Sequence, residues 1–153
     1  MTEKGAGEVR LGKLPNGKRF ITSIEPMHGN EVVINPEAKS GLWSQNRVVI
    51  DDGLRQGHAL VTGDFLGLGY DQVVAGWRQK TGEDKKVGIR LYVPSNKEGS
   101  EWKQHAVIDD NKMACEDMKA ADLDGDGDLD LVAAGRATKN VVIYWNKTIA
   151  GPK

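Results

Sequence analysis

The stretch DLDGDGDLDLVAAG, residues 122–135, places five aspartates in nine positions and then turns at once into an apolar run. The spacing offers side-chain oxygens at alternate positions, and Gly127 permits the sharp turn that gathers them round one point. Hard cations such as Ca²⁺ take about six to eight oxygen ligands of this kind. The alternative is a solvated acidic turn, because Asp and Gly are both common turn residues. We favour a cation-binding loop, since this spacing is more specific than an acidic run.

The flanking sequence decides what kind of calcium loop this is. An EF-hand needs a bidentate Glu at the twelfth position, and Ala133 stands there. The short apolar run that follows the aspartates ends at a glycine, which predicts a strand rather than a helix. We therefore expect a calcium loop between two β-strands. Its predicted ligands are the carboxylates of Asp122, Asp124, Asp126 and Asp130 and the backbone carbonyl of Asp128.

Composition places limits on the fold and on the partners. The chain has 153 residues, of which 28% are charged, and its formal net charge of −1 gives no electrostatic basis for binding nucleic acid. No apolar run approaches the roughly 20 residues of a membrane span. The N-terminal segment MTEKGAGEVR has no apolar core, so we expect no signal peptide in this chain. Cys115 is the only cysteine, which excludes an intrachain disulfide.

The second half of the chain repeats the first. Residues 101–136 align with residues 42–77, so that Trp102 matches Trp43 and DLVAAG matches DQVVAG, each 59 positions on. A period of this length indicates propellers or arrays. Each unit contains four short apolar segments, which is the pattern of a four-stranded propeller blade.

The repeat predicts an all-β fold, a single partial β-propeller domain over residues 1–153. Two full four-stranded antiparallel blades are expected, and a third blade lacks its outer strand; the approximate blade bounds are 8–52, 58–110 and 116–146. In the middle blade, the segment DFLGLGYD stands in place of the aspartate loop, one residue shorter and with Leu66 and Leu68 where acids are needed. In the first blade the turn is PNGK. We therefore expect one strong calcium site, in the third blade.

The loop and its flanking strands resemble the FG-GAP or VCBS repeats of calcium-binding β-propellers. Four longer stretches look like the C-terminal part of the propeller in the aldos-2-ulose dehydratase group: IEPMHGNEVVI, IDDGLRQGHALVTGDF, VVAGWR and MACEDMKAADLDGDGDLDLVAAGRATKNVVIYWN. The resemblance implies a ring of about seven blades, within the range that propellers use. It also implies a parent protein that is periplasmic or secreted.

Fewer than three complete blades are present in the sequence, and propellers typically need about four to eight. The segment MTEKGAG offers no strand that could complete the third blade. We expect the chain to be the C-terminal fragment of a larger propeller or the subunit of an oligomer that builds the ring. Its expected partners are the missing blades or further copies of itself, together with a carbohydrate ligand.

Strand direction places a second candidate site on the face opposite the calcium loop. His28, His58 and Glu116 fall there, and the last two begin innermost strands that face the channel. Two histidines and a carboxylate suit zinc or another divalent metal, although a histidine at a strand end is often only a turn residue. Glu25, Arg78 and Arg136 end strands on the same face and suit a sugar hydroxyl or a carboxylate.

Two functions remain open at this point. The resemblance implies a carbon–oxygen lyase that dehydrates an oxidised sugar or an anhydro-sugar, with His58, His28 and Glu116 as base or metal ligands. The chain alone would then be inactive, because the missing blades would carry further site residues. The alternative is a non-catalytic carbohydrate- or protein-binding module that calcium stiffens. An enzyme needs His28 and His58 to converge, and a binding module does not.

Overall fold

A computed structural model describes residues 5–39, 43, 46–79 and 86–148 of the chain. Within these ranges the backbone forms strands and turns, and it forms no helix. The strands are β1 (Gly7–Lys13), β2 (Arg19–Glu25), β3 (Glu31–Pro36), β4 (Val48–Asp51), β5 (Gly57–Gly63), β6 (Gln72–Trp77), β7 (Gly88–Pro94), β8 (Trp102–Asp110), β9 (Cys115–Ala121), β10 (Asp130–Gly135) and β11 (Asn140–Tyr144).

The strands form three antiparallel sheets in chain order, which we call blade 1 (β1–β4), blade 2 (β5–β8) and blade 3 (β9–β11). Each strand pairs with its neighbours in sequence, so every blade is a series of hairpins. The prediction of an all-β fold with two four-stranded blades and a third of three strands is confirmed. No helix in the described part of the chain could cross a membrane.

Burial explains why the strand β6 of the middle blade is almost entirely apolar. All six residues of β6 are buried, because blade 1 covers one face of blade 2 and blade 3 covers the other. One apolar cluster, which includes Phe20 and Tyr92, lies between blades 1 and 2; a second, which includes Met118 and Leu131, lies between blades 2 and 3. Each fully buried side chain of this size contributes about 1.5–3 kcal/mol. The blades are therefore held together mainly by their faces.

Polar contacts repeat at the outer edge of both junctions. Asp51 at the end of β4 accepts hydrogen bonds from the Tyr92 hydroxyl and from Arg90 Nη1, the latter at 2.7 Å. Asp109 near the end of β8 accepts one from the Tyr144 hydroxyl at 2.8 Å. The aspartates that end the outer strands thus bind each blade to the next.

The strand register corrects the sequence alignment of the repeats. Gln72 pairs with Gly63 in the way that Asp130 pairs with Ala121, so Gln72 and not Asp71 corresponds to Asp130. The loop of blade 2 therefore has the same length as the loop of blade 3, and the prediction that it is one residue shorter was wrong. Asp71 lies at the junction with blade 1 instead, where its Oδ2 accepts a hydrogen bond from the backbone of Lys13 at 2.7 Å. Matching acid to acid misaligned the repeats.

Several sequence expectations fall at the limits of the described residues. The repeat matches Trp43 to Trp102, which begins β8, but β4 begins at Val48, and Trp43 lies in an isolated bridge with Glu37. Residues 44–45 lie outside the described ranges. So do residues 1–4 of the MTEKGAG segment and residues 149–153.

Candidate functional site: a histidine pair and a polar cleft, with an aspartate loop at the far end

The inner strand of each blade has a β-bulge at its second residue. The register shifts there in β1, β5 and β9, which leaves Glu8, His58 and Glu116 without a cross-strand partner. A bulge re-aims the side chain that it carries and often lies next to a functional site. Three ionisable side chains therefore occupy the same structural position in three consecutive blades. Sequence reasoning found His58 and Glu116 but missed Glu8, because β1 does not resemble the other inner strands in sequence.

His28 and His58 converge. His28 lies in the turn after β2, where the backbone N–H of Gly29 donates to the carbonyl of Pro26 at 2.6 Å and His28 has a φ of 53°. This conformation brings the His28 ring onto the His58 ring, with ring centroids 4.5 Å apart and an interplanar angle of 24°. The two imidazoles come from adjacent blades, as strand direction predicted.

A backbone contact fixes the tautomer of His58. Its Nδ1 lies 2.7 Å from the carbonyl oxygen of Glu116 in the next blade. A carbonyl oxygen can only accept, so Nδ1 carries the proton and Nε2 keeps its lone pair in the neutral ring. Nε2 lies 4.0 Å from Oε1 of Glu116. His58 is thus oriented as a proton acceptor beside a carboxylate.

Glu116 joins the histidine pair to a polar cleft. Its Oε1 accepts a hydrogen bond from Arg78, whose Nε also donates to Gln56 Oε1 at 3.2 Å. Its Oε2 is buried and has no hydrogen-bond partner in the described structure. The cleft has a volume of about 250 Å³, and the exposed residue Arg136 also lines it. The residues that line it are Gln56, Arg78, Gln79, Glu116, Arg136 and Ala137.

The environment favours the neutral form of His28. Partial burial of the ring lowers the pKa of His28, and the neighbouring charges of His58 and Arg78 lower it further. Cys115, one residue before Glu116, is fully buried. Burial raises the pKa of its thiol to about 12, so Cys115 is not an activated nucleophile.

Glu25 does not join this cleft. The residue is only 3% exposed. Its carboxylate accepts hydrogen bonds from Ser23 Oγ at 2.8 Å and from Arg47 Nε at 2.7 Å. Both oxygens are therefore occupied by internal partners, and Glu25 is buried in blade 1 at the position that Arg78 holds directly after β6 in blade 2.

The donor set at the histidine pair does not fit a zinc site. Such a site needs at least three protein ligands on one ion. Among the residues that the structure describes, the only group of three potential ligands with converging donor atoms is an aspartate cluster at the other end of blade 3. Glu116 Oε1 is already engaged by Arg78. We therefore derive no chemistry from a metal at this face.

The aspartate loop joins β9 to β10. Ligand oxygens of Asp122, Asp124 and Asp130 lie within 4.8 Å of one another, and Asp130 is fully buried while the other two are exposed. Asp126 is not a member of this group. Its Oδ1 accepts a hydrogen bond from the backbone N–H of Asp128 at 3.0 Å. The structure thus gathers three of the four predicted carboxylates.

Backbone geometry and one lysine hold the loop closed. Gly125 and Gly127 have φ values of 80° and 94°, a region that favours glycine, and both N–H groups donate to the Asp122 carboxylate. Lys147 Nζ lies 3.1 Å from Asp124 Oδ2, and this hydrogen bond lowers the pKa of Asp124. Burial, together with the neighbouring aspartates, raises the pKa of Asp128.

The two candidate sites lie at opposite ends of blade 3. Glu116 is the second residue of β9, and Asp122 directly follows its last residue. Six residues of extended chain at roughly 3.3 Å each separate them by about 20 Å.

Comparison with known proteins adds no assignment, since no protein-family model matches the chain and no curated protein matches it either.

Proposed function

We propose that the chain is a calcium-binding β-propeller segment that contributes part of a carbon–oxygen lyase site for an oxidised or anhydro-sugar. The observation that supports the lyase most directly is the stack of His28 on His58, with His58 Nδ1 bound to the Glu116 carbonyl. This arrangement places the proton of the neutral tautomer on Nδ1 and leaves Nε2 of the partly buried ring free to act as a general base. A base of this type contributes about 10²–10⁴-fold to proton transfer.

The proposed reaction is a β-elimination. His58 removes the proton next to the substrate carbonyl, the electron pair forms an enolate and then a carbon–carbon double bond, and the hydroxyl at the β-carbon leaves as water after it gains a proton. The His58 ring, which holds the proton that it removed, returns it to the leaving hydroxyl, and the neighbouring His28 ring stays stacked on it in its neutral form. Arg78 and Arg136 line the cleft, where a guanidinium stabilises negative charge on the enolate oxygen.

The cleft also offers a reason to expect a sugar. Glu116 Oε2 is a buried acceptor that lacks a donor in the described structure, and a buried acceptor without a donor costs roughly 1–3 kcal/mol. A substrate hydroxyl would relieve this cost if the Glu116 side chain turned to present Oε2 to the cleft. Gln56 and Gln79 add amide groups to the same cleft, which can donate to or accept from further hydroxyls.

Calcium is proposed for the aspartate loop. Carboxylate oxygens are the donors that hard cations prefer, and Asp122, Asp124 and Asp130 gather them on one side of a glycine-containing turn. When bound, the ion would neutralise like charges that otherwise repel in the loop. Because the loop lies at the far end of β9, the ion would stiffen the blade and would not touch the cleft.

Proton exchange tests the base without the complete ring. The protein is incubated with an aldos-2-ulose in D₂O, and loss of the proton next to the carbonyl is followed by NMR. Wild type should exchange this proton faster than buffer, and His58→Gln should lose at least about 100-fold of that acceleration. His105→Gln, which changes an exposed histidine on β8, is the matched control and should behave as wild type.

The same experiment separates the two functions. If calorimetry shows that the sugar binds and Arg136→Gln weakens binding, but no exchange occurs, the binding-module alternative replaces the lyase. If the sugar neither binds nor exchanges, both the lyase and carbohydrate binding are wrong for this cleft.

A further inference from the structure

At the junction between blades 2 and 3, the cleft contains an ion pair between the two blades. Arg78, the residue after β6, forms an ion pair with Glu116, the bulged residue of the next inner strand. Arg136 occupies the same position after β10, and it is exposed with no charged partner in the described structure. The guanidinium of Arg78 in blade 2 is therefore paired with a carboxylate of the next blade, whereas the equivalent guanidinium of Arg136 in blade 3 is not.

The opposite end of the molecule presents the complementary group. Glu8 is the bulged residue of β1, the position that Glu116 holds in β9. In the described part of the chain no strand lies beside it on the side away from β5, and its carboxylate forms an ion pair with Arg10 of its own strand at 2.8 Å. One end thus carries an unpaired Arg136, and the other carries a Glu8 in the place of its expected acidic partner.

Both end faces are also apolar. On blade 3, Val141 is 70% exposed and Ile143 is 43% exposed, while the alternate residues of β11 pack against blade 2. On blade 1, Val9 is 61% exposed and Leu11 is 58% exposed. Exposed apolar surface at two ends of one molecule, each bordered by charged residues, is typical of an interaction surface.

A shallow depression shows where a further inner strand would lie. It has a volume of about 520 Å³, and Glu116, Arg136 and Val141 border it. In the two junctions within the chain, inner strand packs against inner strand, β1 against β5 and β5 against β9. A strand that continued this series would lie against β9, with its bulged residue at Arg136.

We propose that this strand is β1 of a second copy of the chain, so that Glu8 of the partner subunit pairs with Arg136 as Glu116 pairs with Arg78. The number of blades supports two copies. The described residues form three blades, and propellers typically contain about four to eight. Two copies of these three blades would make a ring of six, within that range, through two identical junctions.

The consequence for the site is that each cleft is completed by the other copy. Arg136 lines the cleft together with Glu116, and Glu8 of the partner subunit would add a second carboxylate beside Arg136. The inference concerns the assembly of the cleft and does not depend on the reaction that it performs.

Two charge reversals test the junction. Wild type should sediment as a dimer, at twice the chain mass of 16.7 kDa. Arg136→Glu and Glu8→Arg should each raise the dimer dissociation constant at least about 100-fold, because like charges would face each other at both junctions. Lys97→Glu, in the β7–β8 turn, is the control for a change of net charge and should leave the dimer intact.

Mixing the two variants gives the decisive measurement. A dimer of Arg136→Glu with Glu8→Arg has one acid and one base at each junction, so native mass spectrometry of isotope-labelled chains should show the mixed dimer in excess over either parent dimer. The double variant in one chain should also recover the dimer. A monomeric wild type, as expected if a further blade of a longer chain fills this place, overturns the proposal, and so does a dimer that neither reversal weakens.

Discussion

The side chain of His58 depends on two backbone features for its orientation. The bulge in β5 turns it out of the strand pairing, and the carbonyl of Glu116 fixes which ring nitrogen holds the proton. A histidine at position 58 does not by itself predict either the bulge or the tautomer. Strand direction predicted that His28 and His58 share a face, but the hydrogen bond from His58 to a backbone carbonyl of another blade has no signal in a linear sequence. The same holds for the left-handed conformation of His28, which a β-branched residue could not adopt without strain.

The titration of His28 tests the electrostatics of the pair. The pKa of His28 is lowered, first by partial burial and then by the charges of His58 and Arg78. The folded state therefore binds this proton less readily than the unfolded chain, so stability from this group is present above about pH 6.5 and is lost as the pH falls through the lowered pKa. An NMR titration should place His28 below the ordinary histidine value.

Substitutions separate the causes of this shift. In His58→Gln the charge of the neighbour is removed, so the pKa of His28 should rise, although not fully, because burial is the larger cause. His105→Gln should leave it unchanged. A wild-type His28 that titrates at or above about 6.5 would contradict the stacked arrangement.

At the scale of elements, the sequence predicted what local patterns determine. Alternating apolar runs and the internal repeat were sufficient for the blades, and the D-x-D-x-D spacing was sufficient for a turn between two strands. The repeat alignment failed at Asp71, because an aspartate used for a contact with Lys13 of blade 1 looked like a loop ligand. The repeat alignment also missed Glu8, since the sequence of β1 does not resemble those of β5 and β9. The bulge at Glu8 depends on how β1 pairs with β2, which the sequence does not show.

The loops of blades 2 and 3 form a matched pair for the calcium test. Asp64 and Asp122 hold the same position, and each accepts two backbone N–H groups of its own turn. Only Asp122 has further carboxylates beside it, from Asp124 and Asp130. Calcium at a hundredfold excess over its Kd should stabilise the wild type by about 2.7 kcal/mol.

Thermal melts with calcium and with chelator measure this effect. Asp122→Asn should abolish the calcium-dependent shift of Tm, whereas Asp64→Asn should lower Tm and leave the shift intact. Asp126 is also a ligand that the spacing predicts, but it lies outside the three-carboxylate cluster, so Asp126→Ala should reduce the shift less than Asp122→Asn does. Identical melts with and without calcium in the wild type would remove the ion from the proposal.

At the scale of the whole molecule, stability and assembly depend on how closely one blade approaches the next. Within the chain this approach is set by small residues on central strands, and at its ends the same faces are exposed. A chain whose blades pack too far apart would lose the contact between His58 and the Glu116 carbonyl, which crosses a junction. The spacing of the blades is therefore a requirement of the candidate site as well as of the core.

Gly76 on β6 tests this spacing. A Cβ added there would lie 2.6 Å from Sγ and 2.7 Å from Cβ of Cys115 in blade 3, too close for any ordinary contact. Gly76→Ala should therefore lower the free energy of unfolding by about 1–3 kcal/mol in urea titrations. Gly63→Ala is the control and should cost less, because its new Cβ would be too close only to the flexible end of Leu129, at 2.6 Å, and would meet the Phe65 ring at an ordinary 3.5 Å. In a Cys115→Gly background, which has a precedent in Gly57 at the same place in β5, Gly76→Ala should lose most of its cost, with a coupling energy of about 1 kcal/mol or more. Additive effects of the two substitutions would mean that Gly76 and Cys115 do not set the distance between blades 2 and 3.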